Sequence, residues 1–529
     1  VTDQNGFFLI SPLQPLPQLI SASFVGYESD TIEVKKANAI EFILSPSTLN
    51  EVKLIERQKT NAKSILKVSN VEWISGQELQ KAACCNLSEC FETNASVDII
   101  SSDPITGAKK IQMLGLDGVY SDVMVENKPF LRGLAASYGL NYIPGSWVES
   151  IQVLKASGSV TNGFQSLTGQ INAELYKPET VDGFFWNSYL SSVGMIENNF
   201  ITSSFVGKDW KTALLGHYSY LGRGVDRNND SFMDAIVTNR LSLLNRWRYL
   251  ARSDRHIELS FRYLTEDKLS GQTSGDNLST EEYEFDAPYE VNIKTDQAEL
   301  NSKIGFIFDK PFTSAGIISQ ARYHNQEALF GGSTYSGSQY SLYFKAAFQS
   351  TIIDTTKMIK IGITYSSDRY DEALLLLRPA APMIDNKYFA RTDKFIGVYS
   401  ELTVEHNPRL SSIFGYRADY SRAFGFWHTP RFNIRYKPSD NTSLRVSAGK
   451  AYRQANPISE NMSYLFSSRN LVLEDYNSLK PEEAINYGAN INHNFYIAGK
   501  ATSFNIDVYQ TDFQNQVVAD IEQTQKLAI

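Results

Sequence analysis

From about Gly183 onward the chain reads as strand after strand in which apolar and polar side chains alternate. In RHIELSFRYL, Arg255 to Leu264, the residues Ile257, Leu259, Phe261 and Tyr263 fall on one face and Glu258, Ser260 and Arg262 on the other. SLRVSAGK (Ser443 to Lys450) and TSFNIDVY (Thr502 to Tyr509) repeat the pattern. Side chains of a strand point alternately to its two faces, so such patterning specifies a sheet with one apolar and one wet face. Charges on the second face suit a closed barrel with lipid outside and a polar lumen inside. A spanning helix needs about 20 apolar residues in a row, whereas Ala373 to Leu377 is among the longest apolar runs. Thr265 to Ala287 and Ser366 to Thr392 read as long polar loops and VGKDW (Val206 to Trp210) as a tight turn, the asymmetry of membrane barrels. No repeated blade motif points to a propeller.

Composition agrees with this reading. The 529 residues include 29 Tyr, 30 Phe and 6 Trp, an aromatic share suited to interfacial girdles. A formal net charge of −8 excludes a nucleic-acid partner, which requires a basic surface. Catalysis finds no support: His217, His256, His324, His406, His428 and His493 are scattered, and no HExxH, G-x-S-x-G or P-loop occurs. The chain is expected not to be an enzyme and to require no cofactor.

The segment Ile143 to Asn172, IPGSWVESIQVLKASGSVTNGFQSLTGQIN, opens on Pro144 and alternates through Val148, Ile151 and Val153. It then enters a stretch punctuated by Gly158, Gly163 and Gly169, which allow sharp turns between short strands. On these residues the block resembles the core signature of the plug domain of TonB-dependent outer-membrane receptors. Pro144, Glu149, Ile151, Val153, Lys155, Ser159, Gly163, Gly169, Ile171 and Asn172 fall on that signature, while Ala156 and Thr168 stand where it has glycine. Ile111 to Pro129 looks like the preceding plug hairpin, and Gly449 to Asn461 and Leu479 to Gly488 resemble late barrel motifs. TDQNGFF (Thr2 to Phe8), SASFVGYES (Ser21 to Ser29) and the following TIEVKKANAIEFILSPS resemble the later part of a transthyretin-like, carboxypeptidase-regulatory-type domain.

The resemblance implies a mainly β chain: a partial carboxypeptidase-regulatory-like β-sandwich over 1–48, a linker over 49–59, an α+β plug over 60–178 and a transmembrane antiparallel β-barrel over 179–529. Counting alternating runs gives roughly 16 strands, against about 22 in plugged transporters, so the barrel is expected to be incomplete and the chain truncated at both ends. The implied function is TonB-dependent active uptake of a scarce substrate across the outer membrane of a Gram-negative bacterium. ENKP (Glu126 to Pro129) replaces the wording associated with glycan importers, which favours a metal complex such as ferric siderophore, haem or copper. Oligosaccharide or peptide uptake, or a non-transporting surface receptor or adhesin, stays open.

Implied partners are a periplasmic TonB-type energy-coupling protein, outer-membrane lipid and an extracellular small-molecule or metal-complex ligand. Leu49, Asn50, Glu51, Val52, Lys53, Leu54 and Ile55 occupy the place of the TonB box, an extended peptide that adds to a partner's sheet edge; a plain linker strand is the alternative. Arg132, Tyr138 and Tyr142, in LRGLAASYGLNY, offer charge and stacking surface for substrate.

Two further constellations carry chemistry. In CCNLSEC, Asn86 and Glu89 form a capping box that places Cys85 and Cys90 at staple positions, with Cys84 set apart. The sulfurs suit a disulfide, a soft metal site, or simple apolar filling. In DRNNDSFMD, Asp226, Asn228, Asp230 and Asp234 match the front half of a calcium loop. Ser231 replaces the turn glycine and the closing Glu is missing, which leaves a solvated acidic turn as the other reading.

Overall fold

The computed structural model describes residues 16–22, 30–36, 39–42, 61–63, 68–76, 78–79, 85–92, 94–103, 105–181, 183–252, 254–273, 289–376, 385–467, 470–473, 479–522 and 527–528. The chain divides into a unit of Val1–Lys59 and a unit of Thr60–Ile529, each taken by itself. In the first, Gln18–Ala22 pairs antiparallel with Asp30–Val34. Most of the rest of the expected β-sandwich module, and all of Leu49 to Ile55, lie outside the described residues.

In the second unit the Gly-rich block sits at the centre of a six-stranded sheet. Its order is Asn61–Lys63, Val71–Ser75, Val148–Lys155, Gly169–Leu175, Ser121–Val125, Lys128–Pro129. Val148–Lys155 pairs antiparallel with both its neighbours, and Gly169–Leu175 runs parallel to Ser121–Val125. Val148 and Ile151 are an odd number of residues apart, yet both are buried with Val153. A register shift between Val148 and Ser150 resets the phase, as a bulge does. Gly169 is required by close approach: a Cβ there would press into the Leu154 carbonyl oxygen and the Met113 methyl. Ala156, one of the departures from the signature, adopts φ +66°, the conformation that favours glycine.

Fifteen strands, from Phe184–Leu190 to Lys500–Asn515, form one antiparallel meander in chain order, slightly fewer than the sixteen expected. The sheet is open, the first and last of these strands each having one neighbour in it. Its burial is inverted relative to a water-soluble sheet. On Arg255–Gly271, Glu258, Arg262, Glu266 and Lys268 are at most 5% exposed, whereas Leu259 and Phe261 are 44% and 50% exposed. Apolar residues therefore face outward, where hydrocarbon stabilises them, and charges face the lumen. No helix among the described residues is long and apolar enough to cross a membrane.

Of the long polar loops expected at Thr265 to Ala287 and Ser366 to Thr392, residues 265–271, 366–376 and 385–392 are strand, and residues 274–287 and 377–384 lie outside the described residues. Arg255–Gly271 runs through Thr265, and Asp354–Leu376 and Asp385–Asn407 each extend over 23 residues. About 9–11 residues cross the hydrocarbon, so the remainder projects beyond it, and its charges belong to hairpins standing in water. The tight turn at Val206 to Trp210 is present, with Gly207 at φ +67°.

The small sheet sits against the lumen face of the large one. Lumen-facing arginines hold it by its main chain: Arg240 donates to Asn141 O, Arg246 to Leu175 O and Tyr176 O, Arg322 to Phe130 O, and Arg431 to Gly158 O and Ser159 O. These bonds span 2.9–3.2 Å. The arrangement is the plug and barrel that the sequence led us to expect.

Candidate functional site

Beyond Lys128–Pro129 the plug turns back on itself in short 3-10 turns at Gly133–Ala135 and Gly139–Tyr142. Gly133 permits the first, at φ +61°. This loop, the strands Asp354–Leu376 and Asp385–Asn407, and the segment following Thr442–Arg453 enclose a cavity of about 900 Å³ that opens to solvent. It lies at the end of the barrel opposite the tight turn at Gly207.

Its walls mix charge with aromatic surface. Asp368 and Asp393 are directly opposed across their two strands, with Tyr370 and Phe395 two residues further along each. Arg132 reaches from the plug to within 3.2 Å of Asp368, and Asp393 pairs with Arg391 at 3.0 Å. The Arg391 guanidinium lies 4.6 Å from the Tyr370 ring centre and donates to Asn456 Oδ1. Arg453 binds Glu482 and, at 2.6 Å, Glu460, fixing the helical turn Pro457–Glu460 at the rim. Lys110 contributes from the plug side, 3.7 Å from Asp117. Most of these charges are thus paired within the site. Nothing here pairs a nucleophile with a base.

Of the residues expected to contact substrate, Arg132 lines the cavity and the two tyrosines do not. Tyr138 and Tyr142 are 2% and 0% exposed, because the 3-10 turns direct their rings into the seam between plug and barrel. Tyr138 lies under the Lys268 ammonium and Tyr142 stands edge-on to His324. Asp368, Tyr370, Asp393, Phe395 and Glu460 went unseen as site residues. Only Arg132 and its plug loop, Leu131 to Tyr142, pointed to this place.

The capping box forms in altered shape. Asn86 Oδ1 accepts from Ser88 N and Glu89 N, and Glu89 Oε2 reaches back to Cys85 N at 2.8 Å. A single 3-10 turn follows, Glu89–Phe91. Cys85 and Cys90 are not joined to each other, Cys90 is fully buried with its thiol directed to Asn86 O, and Cys84 lies outside the described residues. In DRNNDSFMD the oxygens serve the loop itself. Asp226 accepts from Asn229 N and Ser231 N, Asn228 from Asp230 N, Asp230 from Phe232 N, and Asp234 from Arg227 N. Among the described residues no group of three or more His, Cys, Asp or Glu could hold a metal ion.

Comparison with known proteins agrees with this architecture. The family model described as TonB dependent receptor-like, beta-barrel matches residues 186–526, and that of the TonB-dependent Receptor Plug Domain matches 64–170. No curated protein matches significantly by sequence. Among solved structures, a variant of the ferric enterobactin receptor PfeA of Pseudomonas aeruginosa is similar, at 12% identity and TM-score 0.64 over 84% of this chain and 71% of that one. The siderophore receptor PirA of Acinetobacter baumannii is similar at 16% identity and TM-score 0.64, over 85% and 71% of the two chains. PirA of Pseudomonas aeruginosa gives 16% and 0.62, over 87% and 78%.

Proposed function

The chain belongs to the TonB-dependent receptor family, one of outer-membrane transporters and receptors and not of enzymes, and from that premise we propose that it imports a scarce metal complex actively into a Gram-negative cell. The observation that carries this reading is the plug held across the lumen beneath an outward-opening cavity. A lumen filled in this way is no passive pore, so cargo bound in the cavity moves on only if the plug is rearranged by work done from the other side. The similar structures, a ferric enterobactin receptor and two siderophore receptors, favour a metal complex over an oligosaccharide or peptide. Coupling is assigned to Leu49 to Ile55, as a strand added to a periplasmic TonB-type partner.

The test is uptake of radiolabelled iron complexes, with and without the receptor gene, in iron-starved cells. Receptor-dependent accumulation supports the reading. Val52→Pro removes a strand N–H and should abolish accumulation while leaving ligand binding to intact cells unchanged. Accumulation that ignores the receptor for every metal complex offered, while a peptide or glycan is taken up, would overturn it.

A further inference from the structure

A second cavity of about 370 Å³ adjoins the outer one, sharing Asp122, Pro129, Arg132 and Gln165 with it. It reaches deeper along the barrel wall. Its wall residues Thr364 and Ser366 precede Asp368 and Tyr370 of the outer cavity on the same strand. Four residues of strand correspond to roughly 13 Å at about 3.3 Å per residue.

Three polar groups in this chamber have unmet hydrogen-bonding capacity among the described residues. The Asp122 carboxylate, on the plug strand Ser121–Val125 and 7% exposed, has no hydrogen-bond or ion-pair partner among the described residues. The Tyr343 hydroxyl, on a side chain 6% exposed, has no hydrogen-bond partner among the described residues. Arg132 approaches Asp368 off-axis, so that Nε and one terminal nitrogen make no aligned hydrogen bond. Arg417, by contrast, is fully engaged by Asp419 and Thr364. Buried polar groups without partners are costly, and here two donors and a carboxylate line one cavity.

We propose that this inner chamber is an oxyanion site, in which a carboxylate or inorganic oxyanion accepts from Arg132 and Tyr343 beside Asp122. The ligand supplies aligned acceptors for the two donors, Arg132 and Tyr343. The site stands whether or not the cargo is a metal complex, since it requires only the anion.

Asp122 makes binding depend on proton concentration. The groups facing it are Arg132 on the plug loop, Lys345 on Ser333–Ile352, Arg417 on Leu410–Ser421 and Arg431 on Gly425–Ser439. Burial outweighs these cations and pushes its carboxyl up to about 6. A bound anion favours the protonated form further, so affinity rises as pH falls through that value and is weakest above it.

The test is calorimetric titration of the receptor in detergent micelles with selenate and, separately, acetate, at about pH 5.5 and about pH 8. Selenate stands for an inorganic oxyanion and acetate for the carboxylate arm of a larger ligand; the tighter of the two names the source. Saturable binding about five- to tenfold tighter at the lower pH is expected, a displacement of about one pKa unit being tenfold. Asp122→Asn should remove the pH dependence and bind at both pH values as the parent does at the lower. Tyr343→Phe and Arg132→Gln should each weaken binding several-fold at both. Anomalous scattering from selenate-soaked crystals of the unaltered receptor locates the ion even where a variant fails to fold. No saturable binding of either anion, selenate density elsewhere, or a pH dependence that survives Asp122→Asn would overturn the proposal.

Discussion

Replacing Glu126 by glutamine should loosen the plug more than any other single loss of charge in the seam. Glu126 sits at the tip of the hairpin Val125–Lys128, with both tip residues in the left-handed region, φ +54° for Glu126 and +61° for Asn127. From there its carboxylate meets Arg246 at 2.7 Å, Lys303 at 3.3 Å and Lys128 at 3.6 Å. Arg246 is shared with Glu258 at 2.6 Å, and Glu126 itself is 2% exposed. Burial alone would raise this carboxyl, but Arg246, Lys303 and Lys128 hold it well below the usual carboxylate range. Glutamine keeps the size and the backbone strain and removes only the charge, leaving the three cations short of one partner. Breaking a buried pair by removing one member costs about 3–5 kcal/mol. At the lower end this is on the order of a hundredfold in the opening equilibrium, since about 1.4 kcal/mol is tenfold. Hydrogen exchange of the peptide covering residues 121–130, in detergent micelles, reads that change directly. The sign with pH is fixed as well: a depressed carboxyl contributes fully above its unfolded value, and its contribution is lost only as pH falls toward the lower folded one. Glu126's share of the protection, read as the difference between the parent and Glu126→Gln, should therefore hold from about pH 7 to about pH 5 once intrinsic exchange chemistry is corrected for, the raised Asp122 carboxyl in the same peptide being common to both. A Glu126→Gln plug that exchanges within a factor of about two of the parent would refute the reasoning, since that is under about 0.5 kcal/mol.

Gly169→Ala forces a methyl against the Leu154 carbonyl, a backbone atom that cannot rotate away; we expect the plug to lose about 1–3 kcal/mol, seen as a lower urea midpoint for plug exchange, and an unchanged midpoint would refute the close-approach argument. Asn86→Ala removes the acceptor for Ser88 N and Glu89 N and should cost about 1 kcal/mol locally, measured as faster exchange of those two amides with the rest of the plug unaffected.

Local periodicity made the barrel legible. The Ile257 and Glu258 faces came out as read, because in a sheet with lipid on one side and water on the other each side chain reports its own surroundings. The same logic misled at Ser366 to Thr392, where Asp368, Arg369, Asp371 and Glu372 looked like loop and are strand projecting past the hydrocarbon. Tyr138 and Tyr142 misled for the opposite reason: a sequence tells how much surface a ring offers, and the 3-10 turns decide whether it is spent inside. The cavity itself was out of reach. It joins Arg132 to Asp368 and Asp393, residues brought together by strand register and not by spacing along the chain.

The arginines of the barrel wall grip the plug by its carbonyl oxygens, at Asn141, Leu175, Tyr176, Phe130, Gly158 and Ser159. Every residue type carries that oxygen, so at these six holds the wall recognises a path of backbone, whereas Glu126 and Arg132 are held by their side chains. Substitutions at these plug positions can accumulate without a matching change in the barrel, provided the trace of the chain is kept. A plug grafted from a distant relative with the same trace would find these backbone holds already in place, and only where a side chain is gripped, as at Glu126, must plug and barrel keep matching residues.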